Sequence, residues 1–275
     1  MNFTCLLVGG RNSKRLLAGI IALVMMVTTF PATAVTAMET REKYPYTLFA
    51  ASETEGAITI TGNACINGDI ATNGTVAMNG SAINVNGTIH EQADEKMIAI
   101  SAKLDKLYFA GANVVNYESD YCLEEVNCNI SRPTVVKGNM NAGGNVNLNA
   151  PVKVSGDISV TPDSLNGNNA VLYSENGDIH ISGMYVNLTG LIYAPKGEVC
   201  IKAQNVNLNN VIVIADRIAL ETGNANINYS QNMEEIIGVY SEEDTTEPDE
   251  GTTGSDEGTT KPEDGTTGSD EGTTK

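Results

Sequence analysis

The apolar residues of this chain come in short alternating bursts, and the bursts themselves recur. Set beneath "VLYSENGDIHISGMYVNLTG" (residues 171–190), the next twenty residues, "LIYAPKGEVCIKAQNVNLNN" (191–210), match it without a gap. Gly177 falls on Gly197, Asp178 on Glu198, Ile179 on Val199, Ile181 on Ile201, Val186 on Val206, Asn187 on Asn207 and Leu188 on Leu208. A further copy, "VIVIADRIALETGNANIN" (211–228), follows at an offset of 19, with Ile218, Leu220, Ala225 and Ile227 in the corresponding places. Within each copy apolar and polar residues alternate with period 2, which predicts short strands with one buried face. About three bursts per copy predict a chain that turns three corners per lap, and repeats of this length are a solenoid signature.

The N-terminal half spells the same lap differently. In "INGDIATNGTVAMNGSAINVNGTI" (66–89), Asn-Gly occurs at 67, 73, 79 and 86, steps of 6, 6 and 7 that sum to 19. Asn-Gly is also a strong hairpin signal, so an antiparallel meander is the rival. A constant lap across both halves favours the solenoid. The L-x-x-L-x-L-x-x-N signature of a leucine-rich horseshoe, which has units near the same length, is absent. The predicted fold class is therefore all-β: a single parallel β-helix of about 19–20 residues per coil.

Between the halves the period changes. In "EQADEKMIAISAKLDKLYFAG" (91–111), Met97, Ile100, Leu104, Leu107 and Tyr108 share one face at helical spacing, and Gly111 supplies a stop. An amphipathic helix is predicted at about 91–110, laid against the solenoid to cover apolar surface. The stretch "NYESDYCLEEVNCNISRPT" (116–134) has no clear period and is read as an irregular excursion.

Both ends change character. Arg11, Lys14 and Arg15 precede the apolar run "LLAGIIALVMMVTTF", and "PATAVTA" follows with small residues. That is the layout of a cleaved export signal over 1–37, and the run is shorter than the roughly 20 apolar residues a bilayer span needs. After residue 240 the chain becomes "DEGTTGSDEGTTKPEDGTTGSDEGTTK", without aliphatic or aromatic side chains. Such a segment cannot bury enough apolar surface to offset its ordering entropy, so 241–275 is read as a disordered acidic linker. From 242 onward there are twelve acidic and two basic residues, a net −10 of the chain's −18. The expected folded domain is 38–240.

Composition narrows the chemistry. The whole chain has no Trp, four Phe and two His, so the domain has few aromatic anchors and no cluster of metal-ligating histidines. Four of the five cysteines lie beyond the export signal: Cys65, Cys122, Cys128 and Cys200. Cys122 and Cys128 are the close pair and the candidates for a disulfide; the alternative is four small buried apolar residues. Acidic residues recur at lap positions, Asp157, Asp178 and Glu198, with Asp216 at another corner. Projecting from one edge they would form a ligand surface for calcium or a sugar, although Asp and Glu beside a corner glycine commonly serve as solvated turn residues. The chain lacks G-x-S-x-G, a phosphate loop, H-E-x-x-H and any Cys near a His. No catalytic residue, cofactor or metal is assigned, and the absence of a basic stripe excludes nucleic acid as a partner.

The segments "YPYTLFAAS", "EGAITI", "NGDIATNGT", "EKMIAI", "LIYAPKGEV" and "NVNLNNVIVIADRIAL" together resemble the N-terminal β-solenoid module of large secreted, multidomain surface proteins of clostridial Gram-positive bacteria. More loosely, the short laps are similar to bactofilin-type, polymer-forming solenoids. The resemblance implies an extracellular, non-catalytic module ahead of further domains, with no site residues to carry over.

The expected function is an exported structural or adhesive module of the cell surface, secreted and free of the membrane once its signal is cleaved. Other surface proteins or glycans are the expected partners, with self-association through the solenoid ends. The alternative is a carbohydrate-binding or carbohydrate-active β-helix, for which the acidic corners are the positive feature. Asn187, Asn207 and Asn226 recur one lap apart beside inward-facing aliphatics, and are expected to stack as an outward ladder of side-chain amides.

Overall fold

The computed structural model describes residues 42–123, 126–229 and 239–240. The export signal at 1–37 and the acidic linker at 241–275 lie outside the described residues. The strands, in chain order, begin with β1 (Glu42–Lys43), β2 (Tyr46–Ala50), β3 (Ile58–Asn67), β4 (Asp69–Thr72), β5 (Val76–Asn86) and β6 (Ile89–His90). A short helix, α1 (Ser101–Leu104), continues as a π-helical turn over Asp105–Phe109. There follow β7 (Val115–Tyr117), β8 (Tyr121–Leu123), β9 (Asn127–Ile130), β10 (Thr134–Val136), β11 (Met140–Leu148), β12 (Val152–Val154), β13 (Ile158–Ser174), β14 (Ile179–Tyr229) and β15 (Val239–Tyr240).

These strands form a parallel β-solenoid of about eight turns. Every pairing in its 13-stranded sheet is parallel, which removes the antiparallel meander; β1 and β15 form a separate antiparallel pair. The stretch at 116–134 is not an excursion. It folds as β7, β8 and β9, the coil at one end of the stack, paired in register with β10 and β11. Its inward positions are mixed in character, Tyr117, Tyr121, Leu123, Cys128 and Ile130, which hid the period.

The order of coils in space is not their order in sequence. Coils 134–148, 152–167 and 171–188 lead into β14, whose last lap pairs with β2 and β3: Val213 faces Leu48, Ile218 faces Ile58 and Ala225 faces Ala64. The N-terminal coils thus stack on the C-terminal one, and β4, β5 and β6 form the far end. Inward residues form one continuous aliphatic core. Ile58, Ile158, Ile179, Val199 and Ile218 are each at most 1% exposed. Each such aliphatic contributes about 1.5–3 kcal/mol relative to an exposed position.

One wall is buried on both faces. Phe49, Val171, Tyr173, Leu191, Tyr193, Ile212 and Ile214 point outward from it into a second core with Ile98, Ile100 and Leu104. That explains the continuous apolar runs "LIYA" and "VIVIA", where strict alternation gives way because neither face meets water. The predicted helix at 91–110 is corrected here: helical residues begin only at Ser101. Residues 91–100 form a strap whose polar groups are taken by the coil. The Asn73 carboxamide accepts from Glu95 N (2.8 Å) and donates to Glu95 O (2.7 Å), and Gln92 N and Ala93 N donate to Gly74 O and Thr72 O. Those tertiary bonds outweigh helical propensity. Of the predicted apolar face, Ile100 and Leu104 are buried, Met97 and Tyr108 pack at its margin, and Leu107 is 54% exposed. Among the described residues no helix is long and apolar enough to cross a membrane.

Corners set how closely coils approach. Gly62 has φ +99°, and a Cβ there would lie 1.7 Å from Thr222 O on the neighbouring coil. Gly62→Ala is therefore expected to destabilise the protein by more than about 2 kcal/mol, read as a lowered urea midpoint.

The second core carries buried phenols. Tyr193 Oη donates to Ile98 O (2.8 Å), and burial pushes this phenol up to about 12, while Tyr44 is held well above its ordinary value by burial and neighbouring tyrosines. Unfolded tyrosine titrates near 10, so the folded state keeps protons that the unfolded state releases. Their stabilisation is fully present below about pH 10 and is lost as pH rises toward 12. Thermal melts across that window should show a falling midpoint, with a shallower fall in Tyr193→Phe.

Candidate functional site

The wall that carries the repeated N-x-N signature is dry on its inner side and polar on its outer one. Val146, Leu148, Val186, Leu188, Val206, Leu208, Ala225 and Ile227 point inward and are buried, so the residues between them face solvent. Parallel register aligns these outward residues into columns. Asn129, Asn147, Asn166 and Asn187 occupy one column, continued at the other end of the stack by Asn226, Cys65 and Asn84. Two residues earlier stand Asn127, Asn145, Ser164 and Tyr185; two residues after Asn226 stand Asn228 and, on successive coils, Asn67 and Asn86. Neighbours within a column are about 4.8 Å apart, and adjacent columns about 6.7 Å.

The asparagines divide into two kinds. One column is closed on itself: Asn86 Nδ2 donates to Asn67 Oδ1 (2.8 Å), Asn67 Nδ2 to Asn228 Oδ1 (2.6 Å), and Asn228 Nδ2 to Asn209 Oδ1. Here Asn67 and Asn228 are each both donor and acceptor along the coil axis, between Asn86 as donor and Asn209 as acceptor. Of the expected ladder Asn187, Asn207 and Asn226, Asn187 Nδ2 donates to Asn166 Oδ1 (3.3 Å), whereas Asn207 and Asn226 line an open groove. That groove has a volume of about 240 Å³ and is bordered by Tyr185, Asn187, Asn205, Asn207, Asn224 and Asn226, with Val206 and Ala225 as its floor. Among the described residues none hydrogen-bonds the side-chain amides of Asn205, Asn207, Asn224 or Asn226. Tyr185 is 47% exposed beside them. On the other side of Asn187 and Asn207 a second groove, about 310 Å³, runs past Asn166, Asn168 and Thr189.

The acidic candidates are placed differently. Asp157 Oδ1 accepts from Asp178 N (2.9 Å), and Asp178 Oδ1 accepts from Glu198 N (2.7 Å). The same corner continues upstream, where Asn139 Oδ1 accepts from Asp157 N (2.8 Å) and Asp120 Oδ1 from Asn139 N (2.7 Å). Each side chain thus satisfies a corner N–H of the next coil, and Glu198 Oε2 ends the series on Arg217 (2.6 Å). Asp216 stands one residue earlier, at the position of Gly177 and Gly197, and its carbonyl accepts from Ser52 N (2.9 Å). Among the described residues no cluster of three or more His, Cys, Asp and Glu is assembled that could hold a metal ion.

No disulfide joins Cys122 to Cys128. The two lie on opposite faces of the strand path: Cys122 is exposed, while Cys128 is buried, its Sγ directed at Gly143 O (3.5 Å) and Leu123 O (3.7 Å). Burial, reinforced by Glu198 and Glu221, pushes the Cys200 thiol up and makes it a poor nucleophile at neutral pH.

Sequence reasoning missed Asn205, Asn224 and Tyr185, and it missed the closed ladder. The former were legible as the residue two before each repeated asparagine, in "YVN", "NVN" and "NAN". The corner series was legible as Asp, Asn or Glu directly after a lap glycine, at 139, 157, 178 and 198.

No protein-family model matches this chain, and no curated protein matches it. Among solved structures, the crystal structure of an ice binding protein from an Antarctic Biological Consortium is similar in fold, at 16% identity with a TM-score of 0.36. The similarity covers 67% of this chain and 87% of that one.

The two kinds of asparagine separate by stability. Asn67→Ala breaks two ladder bonds and should cost about 1–2 kcal/mol in urea unfolding, whereas Asn207→Ala should cost less than about 0.5 kcal/mol. Equal losses would remove the distinction.

Proposed function

We propose that this protein is an exported, non-catalytic structural and adhesive module that works at a cell surface and offers its asparagine wall to other surface proteins or glycans. The observation that supports this reading is the wall itself: a repetitive array of outward amides on a stack of coils held by parallel pairing from β7 to β6. An array of this kind provides many equivalent weak contacts on a rigid support, which suits avidity to a repetitive surface. The candidate acids at Asp157, Asp178 and Glu198 are engaged in corner bonds, a use that needs no catalytic role. The full chain incubated with cell-envelope fragments is expected to co-sediment with them and to release no sugar. Protein left in the supernatant would defeat the adhesive reading, and release of reducing or unsaturated sugar would replace it with an enzymatic one.

A second reading, self-association through the coil end at β5, has its own support. Met78 is 39% exposed and Ile89 38%, while Ile60 and Ile70, in the same registers one coil inward, are fully buried. The occupant proposed for this end is a second copy, because the junction of β2 and β3 with β14 already joins coils that are not consecutive in the chain. Met78→Lys should then abolish a concentration-dependent dimer in sedimentation equilibrium; a wild-type monomer at all concentrations would overturn it.

A further inference from the structure

We propose that the groove between Tyr185 and Asn226 is a binding site for a neutral glycan chain. This deepens the adhesive reading and rests on it. Three observations define the ligand. First, four amides bordering the groove, those of Asn205, Asn207, Asn224 and Asn226, have no hydrogen-bond partner among the described residues, in contrast to the closed ladder through Asn228, Asn67 and Asn86. A carboxamide presents two donors and one two-lone-pair acceptor, so facing rows of them match a ligand whose groups are both donors and acceptors, as hydroxyls and acetamides are.

Second, the groove lining contains no acidic or basic side chain. That argues against a phosphate, a sugar acid or a cation, each of which needs charge-assisted bonds for useful affinity. Third, Tyr185 is the aromatic member of its column, among Asn127, Asn145 and Ser164, and it is half exposed where its neighbours are polar. An aromatic face carries negative charge density and accepts the polarised C–H groups of a sugar ring. The floor of the groove, Val206 and Ala225, supplies a strip of backbone and no polar side chain, so hydroxyls are read from the banks.

The groove runs along the coil axis, from the lap of Tyr185 and Asn187, past Asn205 and Asn207, to Asn224 and Asn226. Three laps span about 10 Å at the spacing of paired strands. The site is therefore suited to successive units of a linear polymer, with Tyr185 beside Asn187 on one lap and a pair of open amides on each of the next two, and affinity should grow with chain length up to about three units. A single sugar would use one lap and bind weakly.

The test uses the full chain with cellohexaose and chitohexaose as probes, their monosaccharides as controls, and isothermal titration. At least one hexamer is expected to bind, more than tenfold tighter than its monosaccharide. Tyr185→Ala and the double variant Asn207→Ala with Asn226→Ala should each weaken it by tenfold or more, with Tyr185→Phe close to wild type. Asn67→Ala, in the closed ladder, should leave affinity unchanged while lowering the melting midpoint. Hexamer binding that survives Tyr185→Ala and the double variant would overturn the groove assignment and leave the adhesive reading standing. Co-sedimentation with envelope fragments but no binding of either hexamer would overturn the neutral-glycan ligand alone, and failure of both would overturn the two together.

Discussion

Each coil of this protein is held to the next by parallel pairing at one strand spacing, and the rest of the structure follows from that repeat. Because register is kept from coil to coil, a residue type repeated at 19 or 20 positions is turned into a column in space. Inward columns become a continuous aliphatic core and outward columns become ladders. Corner columns place an Asp or Asn carboxylate or amide under the N–H of the next coil. A change at one position is therefore felt by two neighbours, as the approach of Gly62 to Thr222 O illustrates.

Stacking also explains how one residue type serves two ends. Along the column from Asn209 to Asn86 the asparagines bond one another, Asn67 and Asn228 each giving one N–H and one lone pair to the ladder. Asn205 and Asn224, on the laps that follow Tyr185 in its column, and Asn207 and Asn226 beside them face solvent instead. The chemistry available to a partner thus lies in the amides that no neighbouring coil engages. The acidic residues show the opposite outcome: their regular spacing is what lets each accept the next coil's N–H.

The second core shows the limit of local pattern. Helical spacing picked out Ile100 and Leu104, which are buried, but the residues before Ser101 are drawn out as a strap because Asn73 binds both the N–H and the carbonyl of Glu95. That competition is between a helix's own bonds and bonds to a distant coil, and no window of sequence contains both. For the same reason 116–134 read as irregular: an end coil has a neighbour on one side only, so its inward positions tolerate Tyr117, Tyr121 and Cys128 in place of aliphatics.

What the sequence determined by itself is the lap. Period 2 within bursts and 19–20 residues between them report which face of each strand is dry and how long one turn is, because both are consequences of short-range geometry. Gly177 over Gly197 and Leu188 over Leu208 carry that information without reference to any other part of the chain. Only the tertiary structure decided the order of the laps, with β2 and β3 stacked on the end of β14, and with it which asparagines meet and which face open water. All coils of such a solenoid share nearly the same edge, so the periodicity is indifferent to their order; the choice is made by contacts between residues more than 150 positions apart, such as Asn67 with Asn228.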